Sequence, residues 1–293
     1  MSQSSLDDSE TRLFGASQLG NVEAVAGLLG TEGIDVNHAT ADNGETPLFI
    51  ASKNGHTEVV AALLEADGIA VNQANTRYGF SPLFIASQLG HIGVVKALLA
   101  TEGIAVNQVG LYGNYTPLLA AAEGAHVEVV KALLQADGIA VNQATDDGRT
   151  ALFIAAQEGW TEVVAALLTA EGIAVNQARD YDGATPLSIA SEYKNTEVVA
   201  ALLEVDGIDV DRMRNECEST ALSIAVENKF IDVVSALLPA VTKLQTLQYA
   251  FDRSNLDSPE RVLVQQRLDE VRTCIHVANL PLISCETTRS NSG

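Results

Sequence analysis

Seven segments of this chain open on a hydroxyl residue at an almost constant period. Thr11, Thr46, Ser81, Thr116, Thr150, Thr185 and Thr220 follow one another at spacings of 35, 35, 35, 34, 35 and 35 residues. A fixed period in this range is the mark of one supersecondary unit stacked into a solenoid. Such a chain does not close a single globular core, because each unit buries its apolar face against the units beside it. The repetition divides the chain into an N-terminal segment at 1–10, a repeat array at 11–239, a helical C-terminal cap at 240–278 and a disordered tail from 279.

The second unit, from Thr46 to Ala74, shows what each position does. The Thr46 hydroxyl can accept from an orphan amide at a helix start, and Pro47 sits where a missing amide costs nothing. Gly55 can turn the chain with φ > 0, and Glu58 falls in the first turn of a second helix, where the helix dipole favours an anion. Val59, Val60, Leu63 and Leu64 give that helix its apolar stripe. Gly68 ends it, and Ile69 and Val71 alternate as a short extended piece leading to a hairpin around Gly79. After Pro239 no hairpin follows. Ser258 and Pro259 start a helix with Val264, Leu268, Val271 and Ile275 on one face, an eighth, degenerate pair that covers the end of the stack.

Helix, turn, helix and hairpin at this period, with TPL, GHTEVV, ALL and GIAVN in place, strongly resemble the ankyrin repeat. The resemblance spans residues 11 to about 240. An ankyrin unit has about 33 residues; the extra ones here fall in EADGI and in the hairpin. The resemblance implies an all-α fold with short β-hairpins, an ankyrin-type helical solenoid of seven repeats plus the C-terminal helical cap. It also implies a non-enzymatic protein-protein interaction module that binds a partner protein through hairpin tips and a concave face. The alternative is a regulatory or inhibitory subunit that blocks an enzyme or masks a targeting signal.

The chain departs from the family at three places. The family's His after TPL is Phe49, Phe84, Leu119, Phe153, Ser188 and Ser223, so apolar packing is expected to take over most of its work. The glycine between the helices is replaced by Ala125, Lys194 and Lys229, and the last hairpin has Asp211 for Asn and Glu218 for the turn Gly. The C-terminal repeats are therefore expected to be the less stable ones.

Thirty-eight acidic against seventeen basic residues give a net charge of −21, which leaves no basic surface to neutralise phosphates, so no nucleic acid is expected. The apolar runs, such as VVAALL at 59–64, are too short for a membrane span, and the start lacks a signal peptide's basic and apolar regions. Cys217, Cys274 and Cys285 have no metal-ligand or CxxC spacing, which suits a reducing compartment. An intracellular monomer, of the cytoplasm or nucleus, is expected, with no cofactor and no membrane. GxGxxG, the Walker P-loop, GxSxG and HExxH are absent, and a solenoid has no enclosed pocket. His56, His91 and His126 recur at the inter-helix turn, but equivalent positions on stacked helices lie roughly 8–10 Å apart, too far for one zinc held at about 2.0 Å. They read as turn residues, and Trp160, at the same place, reads as a packing residue.

The candidate partner-binding residues lie in two halves. Arg77, Tyr78 and Phe80 share one hairpin, Leu111, Tyr112 and Tyr115 the next, with Arg149 and Tyr181 in later ones. Arg and aromatics are the types favoured at interface hot spots. At the ends of the first helices the early units carry Gln18, Lys53 and Gln88, the later ones Glu123, Glu158, Glu192 and Glu227, beside Asp146, Asp147, Asp180 and Asp182. Together they fit a partner segment with an apolar anchor and a basic arm.

Overall fold

The computed structural model describes residues 3–214, 219–241, 243–254 and 258–278. The turn position Glu218, Cys217, Cys285 and the segment from 279 onward lie outside the described residues. Helices come in pairs. The first members are α1 (Gln3–Leu19), α3 (Pro47–Lys53), α5 (Pro82–Gln88), α7 (Pro117–Glu123), α9 (Ala151–Glu158), α11 (Pro186–Glu192), α13 (Ala221–Glu227) and α15 (Leu244–Arg253). The second members are α2 (Val22–Leu29), α4 (Thr57–Leu64), α6 (Ile92–Leu99), α8 (Val127–Leu134), α10 (Thr161–Leu168), α12 (Thr196–Leu203), α14 (Ile231–Leu237) and α16 (Pro259–Ala278). First members pack on first members of the next pair and second on second, which makes two layers. No helix among the described residues is long and apolar enough to cross a membrane.

The hydroxyl that opens each unit works as its chemistry dictates. From Thr46 to Thr220 each of these oxygens accepts from the amide three residues on, at 3.1–3.3 Å. Thr11 differs, because α1 already starts at Gln3 and runs through it. The boundary at residue 10 therefore falls inside a helix. Glu10, buried there, accepts from the Asp35 amide at 3.2 Å and stands 2.9 Å from His38 Nδ1, tying the extended helix to the first unit's own loop.

Each second helix from α4 to α14 has one completely buried leucine, Leu63, Leu98, Leu133, Leu167, Leu202 or Leu237, and Val60, Val95 and Val130 are buried as completely. Phe49, Phe84 and Phe153 are buried in place of the family's His. Ser188 and Ser223 do something else: each hydroxyl accepts from the backbone amide of its own N-cap, at 2.9 Å, completing a capping box.

Two expectations about extended structure are corrected. Among the described residues there are no strands. Each hairpin is closed by a single bond between its ends, such as Asn75 N–H to Phe80 O at 3.0 Å, and one rung is too short a run to make a strand. Other hairpin amides bond within the tip, as Gly79 N–H does to Asn75 O at 3.0 Å, or sideways to the neighbouring hairpin, as Thr76 N–H does to Asn43 O and Leu111 N–H to Tyr78 O, both at 2.8 Å. The GIAVN segment is likewise two successive turns, closed by Ile69 N–H to Ala66 O and Gln73 N–H to Ala70 O.

The asparagine that ends GIAVN is the strongest tie between units. Asn37 donates to Gly68 O at 2.9 Å and accepts from Ala70 N at 2.8 Å, both in the next unit's loop. Asn72, Asn107, Asn142 and Asn176 repeat the pair of bonds at 2.7–2.9 Å. A side-chain amide presents a donor and an acceptor side by side, which is what a backbone C=O and N–H two residues apart require. The sixth position is Asp211, which cannot donate; no such loop follows it, and its buried carboxylate lies 3.7 Å from Lys243. The row ends where the residue changes.

A second set of ties runs along the inter-helix turns. His56, His91 and His126 place Nε2 at 3.0 Å from the carbonyls of Gln18, Lys53 and Gln88. A carbonyl only accepts, so the ring carries its proton there. Asn195 does the same with two donors at 2.8 Å, to Ala156 and Gln157. Each of these side chains sits on a left-handed glycine of the preceding unit, Gly20, Gly55, Gly90 or Gly159, where a Cβ would come within 2.5–2.8 Å of it. Ala125, Lys194 and Lys229 hold the same left-handed turn with φ of 57, 61 and 61°. A side chain there is strained, by about 1–3 kcal/mol.

Two stability measurements check these ties. Asn107→Ala removes two bonds of the ladder and is expected to cost about 1–3 kcal/mol in urea unfolding; an unchanged midpoint would deny the ladder any structural weight. At the turns the expected signs are opposite. Gly90→Ala destabilises, through left-handed strain and contact with the His126 ring, whereas Ala125→Gly stabilises by about 1 kcal/mol.

Candidate functional site

The second hairpin builds one side of a groove. Asn75, 4% exposed, accepts from the Phe80 amide at 2.9 Å and so holds the loop that projects Arg77 and Tyr78. Behind the tip the rings form a column. Tyr78 stacks on Phe80 at 5.4 Å between centroids, Phe80 stacks on the buried Phe84 of α5 at 4.0 Å, and the Arg77 guanidinium lies 5.0 Å from the Tyr78 centroid. Stacking from the core outward fixes a half-exposed tyrosine in place before any partner arrives, which lowers the entropy cost of binding.

In front of the column lies a cavity of about 330 Å³, bounded by the hairpin on one side and by Phe49, Lys53, Ile85 and Gln88 of α3 and α5 on the other. Lys53 is paired with Glu45 at 3.1 Å inside it. The next hairpin extends the apolar edge. Leu111 and Tyr112 are 61% and 72% exposed, and the Leu111 amide bond to Tyr78 O couples the two tips. Phe80 and Tyr115 are half-buried supports. The Tyr115 hydroxyl donates to Glu123 at 3.2 Å, and burial, with the Glu123 charge, pushes the phenol above its usual value.

The later half is less negative than its residue types imply. Glu192 is bound by Arg214 at 2.6 Å, and the same guanidinium reaches Asp182 at 4.0 Å. Asp182 also holds Arg179 at 2.6 Å; the Arg179 hydrogen bonds keep its carboxyl below the usual range against the opposing effect of burial. Glu227 is paired with Arg253 of α15. Arg149 is tied to Asp147 at 2.7 Å, and there burial, which alone would raise the carboxyl, is outweighed by the Thr145 hydroxyl and Arg149, so the value is lowered. Glu158 is not in register with the other three. Gln157 is the counterpart of Glu123, and Glu158 stands about 100° further round the helix. Exposed carboxylates with no ion-pair partner among the described residues remain at Glu123, Asp146, Glu158 and Asp180. Tyr181, 79% exposed, stands alone at its tip.

The asparagine row is visible in the sequence only as a letter recurring at the repeat period; its use appears when consecutive loops are brought side by side. Trp160 borders Ala125 and Val127, is 39% exposed, and among the described residues makes no hydrogen bond to the preceding unit of the kind that His126 and Asn195 make.

The family model for ankyrin repeats (3 copies) matches residues 13–110, 105–179 and 167–247. Among solved structures, the chain is similar to the ankyrin repeat domain of Bcl-3, described as a unique member of the IkappaB protein family. The identity is 26%, the TM-score 0.67, and the match covers 76% of this chain and 97% of that one. It is similar also to the human ASB11 ankyrin repeat domain, at 26% identity and a TM-score of 0.60, covering 76% and 98%. No curated protein sequence matches the chain.

The Asp182 pair has a pH signature. A carboxyl held lower in the folded chain than its unfolded value of about 3.9 contributes stability above that value, and loses it as pH falls through the folded value. Asp182→Asn is expected to destabilise by about 1 kcal/mol at pH 7. The gap between variant and parent in thermal unfolding should narrow as pH falls below about 3.9 and close once pH is below the folded value. A gap that persists at low pH would assign the loss to packing.

Proposed function

The chain belongs to the ankyrin repeat family, whose repeat domains serve generally as protein-protein interaction modules, and on that premise we propose that it binds a partner protein through the groove between its hairpins and first helices. The observation that carries the reading is the stacked column of Arg77, Tyr78, Phe80 and Phe84 facing an open cavity of about 330 Å³. Exposed aromatic area held rigid at low entropic cost is what binding hot spots are made of. No catalytic chemistry is assigned to the surface, in keeping with a family of typically non-enzymatic modules.

The occupant is a segment with an apolar or aromatic anchor for the cavity and a basic arm. The arm lies toward Glu123, Glu158, Asp146 and Asp180, which have no ion-pair partner among the described residues. Glu192 and Glu227 contribute less, since Arg214 and Arg253 already occupy them. A regulatory or inhibitory use would engage the same surface.

Panning a random peptide library on the full chain tests this. The selected peptides are expected to share one aromatic or large aliphatic residue beside two or more Lys or Arg. Tyr78→Ala with Tyr112→Ala, both at exposed hairpin tips, should weaken their binding about tenfold or more at low and at high salt, through faster dissociation, with circular dichroism checking that the variant keeps its helices. Glu123→Gln with Glu158→Gln should mainly slow association, and only at low salt, since exposed charges are screened over about 8 Å at physiological ionic strength. Selected peptides that bind the double-tyrosine variant as tightly as the parent would place the binding surface elsewhere.

A further inference from the structure

The inter-helix turns follow a pairing rule that breaks in an informative way. Where the left-handed residue is glycine, at 20, 55, 90 and 159, the residue that lies on it from the next unit is a His or Asn, which donates to the preceding unit. Where it carries a Cβ, the partner is a carbon-rich ring with no such bond: Ala125 with Trp160, Lys194 with Phe230. Over glycine a Cβ would come within 2.5–2.8 Å of the donor side chain, so at a turn that carries a Cβ the donor's usual place is not open to it.

At the later of these two junctions the chain fills the site itself. Lys194 turns its ammonium to 5.6 Å from the centroid of the Phe230 ring. At the earlier junction the counterpart of that lysine is Ala125, which has no cation to offer. Among the described residues no Lys or Arg stands over Trp160. The indole is 39% exposed beside a cavity of about 190 Å³ lined by Ala125, Val127, Val163 and Glu162. Of the aromatic side chains, Trp gives the strongest cation–π face.

We infer that the Trp160 turn is a second recognition site, on the turn side of the solenoid, for an arginine side chain of a partner protein. The aliphatic stem lies on Ala125, Val127 and Val163, as long basic side chains cover apolar surface. The guanidinium faces the indole and pairs with the Glu162 carboxylate. The N-terminus of α10 by itself repels a cation, but Glu162 in its first turn offsets that field, and α7 and α9 end at the two turns, of Ala125 and Trp160, that line the cavity. The charge of −21 favours such an occupant over an anionic one. A residue that forfeits the unit-to-unit bond, over a strained alanine, departs from the local rule without a structural return, as functional residues do.

Trp160 is the sole tryptophan, so its indole N–H gives one resonance that reads this site alone. The full chain is titrated with N-acetyl-arginine amide, with N-acetyl-leucine amide and N-acetyl-glutamine amide as controls. The arginine compound is expected to shift the indole resonance saturably, and the controls at the same concentrations to leave it in place. Glu162→Gln should weaken the response about fivefold or more. Ala125→Lys, which copies the turn at Lys194 and so keeps the fold, should abolish it by supplying the cation from within. An equal response to the leucine compound would make this an apolar pocket and overturn the inference. An arginine response that survives both substitutions, or none at all, would overturn it as well.

Discussion

The alignment of one unit on the next depends on the pair of hydrogen bonds that one asparagine makes to the next unit's loop. Burial between the helical layers supplies most of the stabilisation, but it is non-directional, and a leucine between two layers tolerates a shift along the stack. A side-chain amide that donates to one backbone group and accepts from another, two residues apart, does not. Repeated from Asn37 to Asn176, it sets each unit's register and spacing on its neighbour. The hairpin tips and first-helix ends therefore line up, and residues 30 or more apart in sequence become one surface.

The inter-helix turns show what happens when such a tie is given up. With glycine beneath them, His56, His91, His126 and Asn195 hold the preceding unit's carbonyls. Over Ala125 and Lys194 stand Trp160 and Phe230, which make no such bond among the described residues and present an aromatic face. The structural and the recognition uses of the position exclude one another, because Phe has no donor and a ring face offered outward is not spent on the preceding carbonyl. The same exclusion does not arise at the hairpins, whose backbone is satisfied by its own closure and by its neighbour. They are free to carry Tyr78, Leu111 and Tyr112 outward.

Charge is distributed by what each region must do. Thirty-two acidic and eleven basic residues precede position 240, and most of the acids sit at helix starts and in the exposed loops before the hairpins, where the helix dipole and solvation account for them. Five of the six arginines in that part are in hairpins. Arg149, Arg179 and Arg214 turn back on Asp147, Asp182 and Glu192, so the later tips are internally paired. Arg77, stacked on Tyr78, belongs to the part that faces outward.

The sequence by itself determined the solenoid. The period, the capping hydroxyls, the proline at the first helical position and the apolar stripe are local patterns whose meaning does not depend on distant residues. Even the strained turns at Ala125, Lys194 and Lys229 were legible, because a missing glycine in an otherwise regular series points to its own φ. What only the tertiary structure decided is each contact that crosses between units. That Asn72 binds Gly103 and Ala105, that Arg253 neutralises Glu227, that Phe80 rests on Phe84, and that Ala125 and Trp160 line one cavity are facts of stacking. A repeat read alone shows which groups it offers. The neighbour decides which are consumed in holding the stack and which remain for a partner, because a donor, a carboxylate or a ring face already engaged inside the molecule is no longer available outside it.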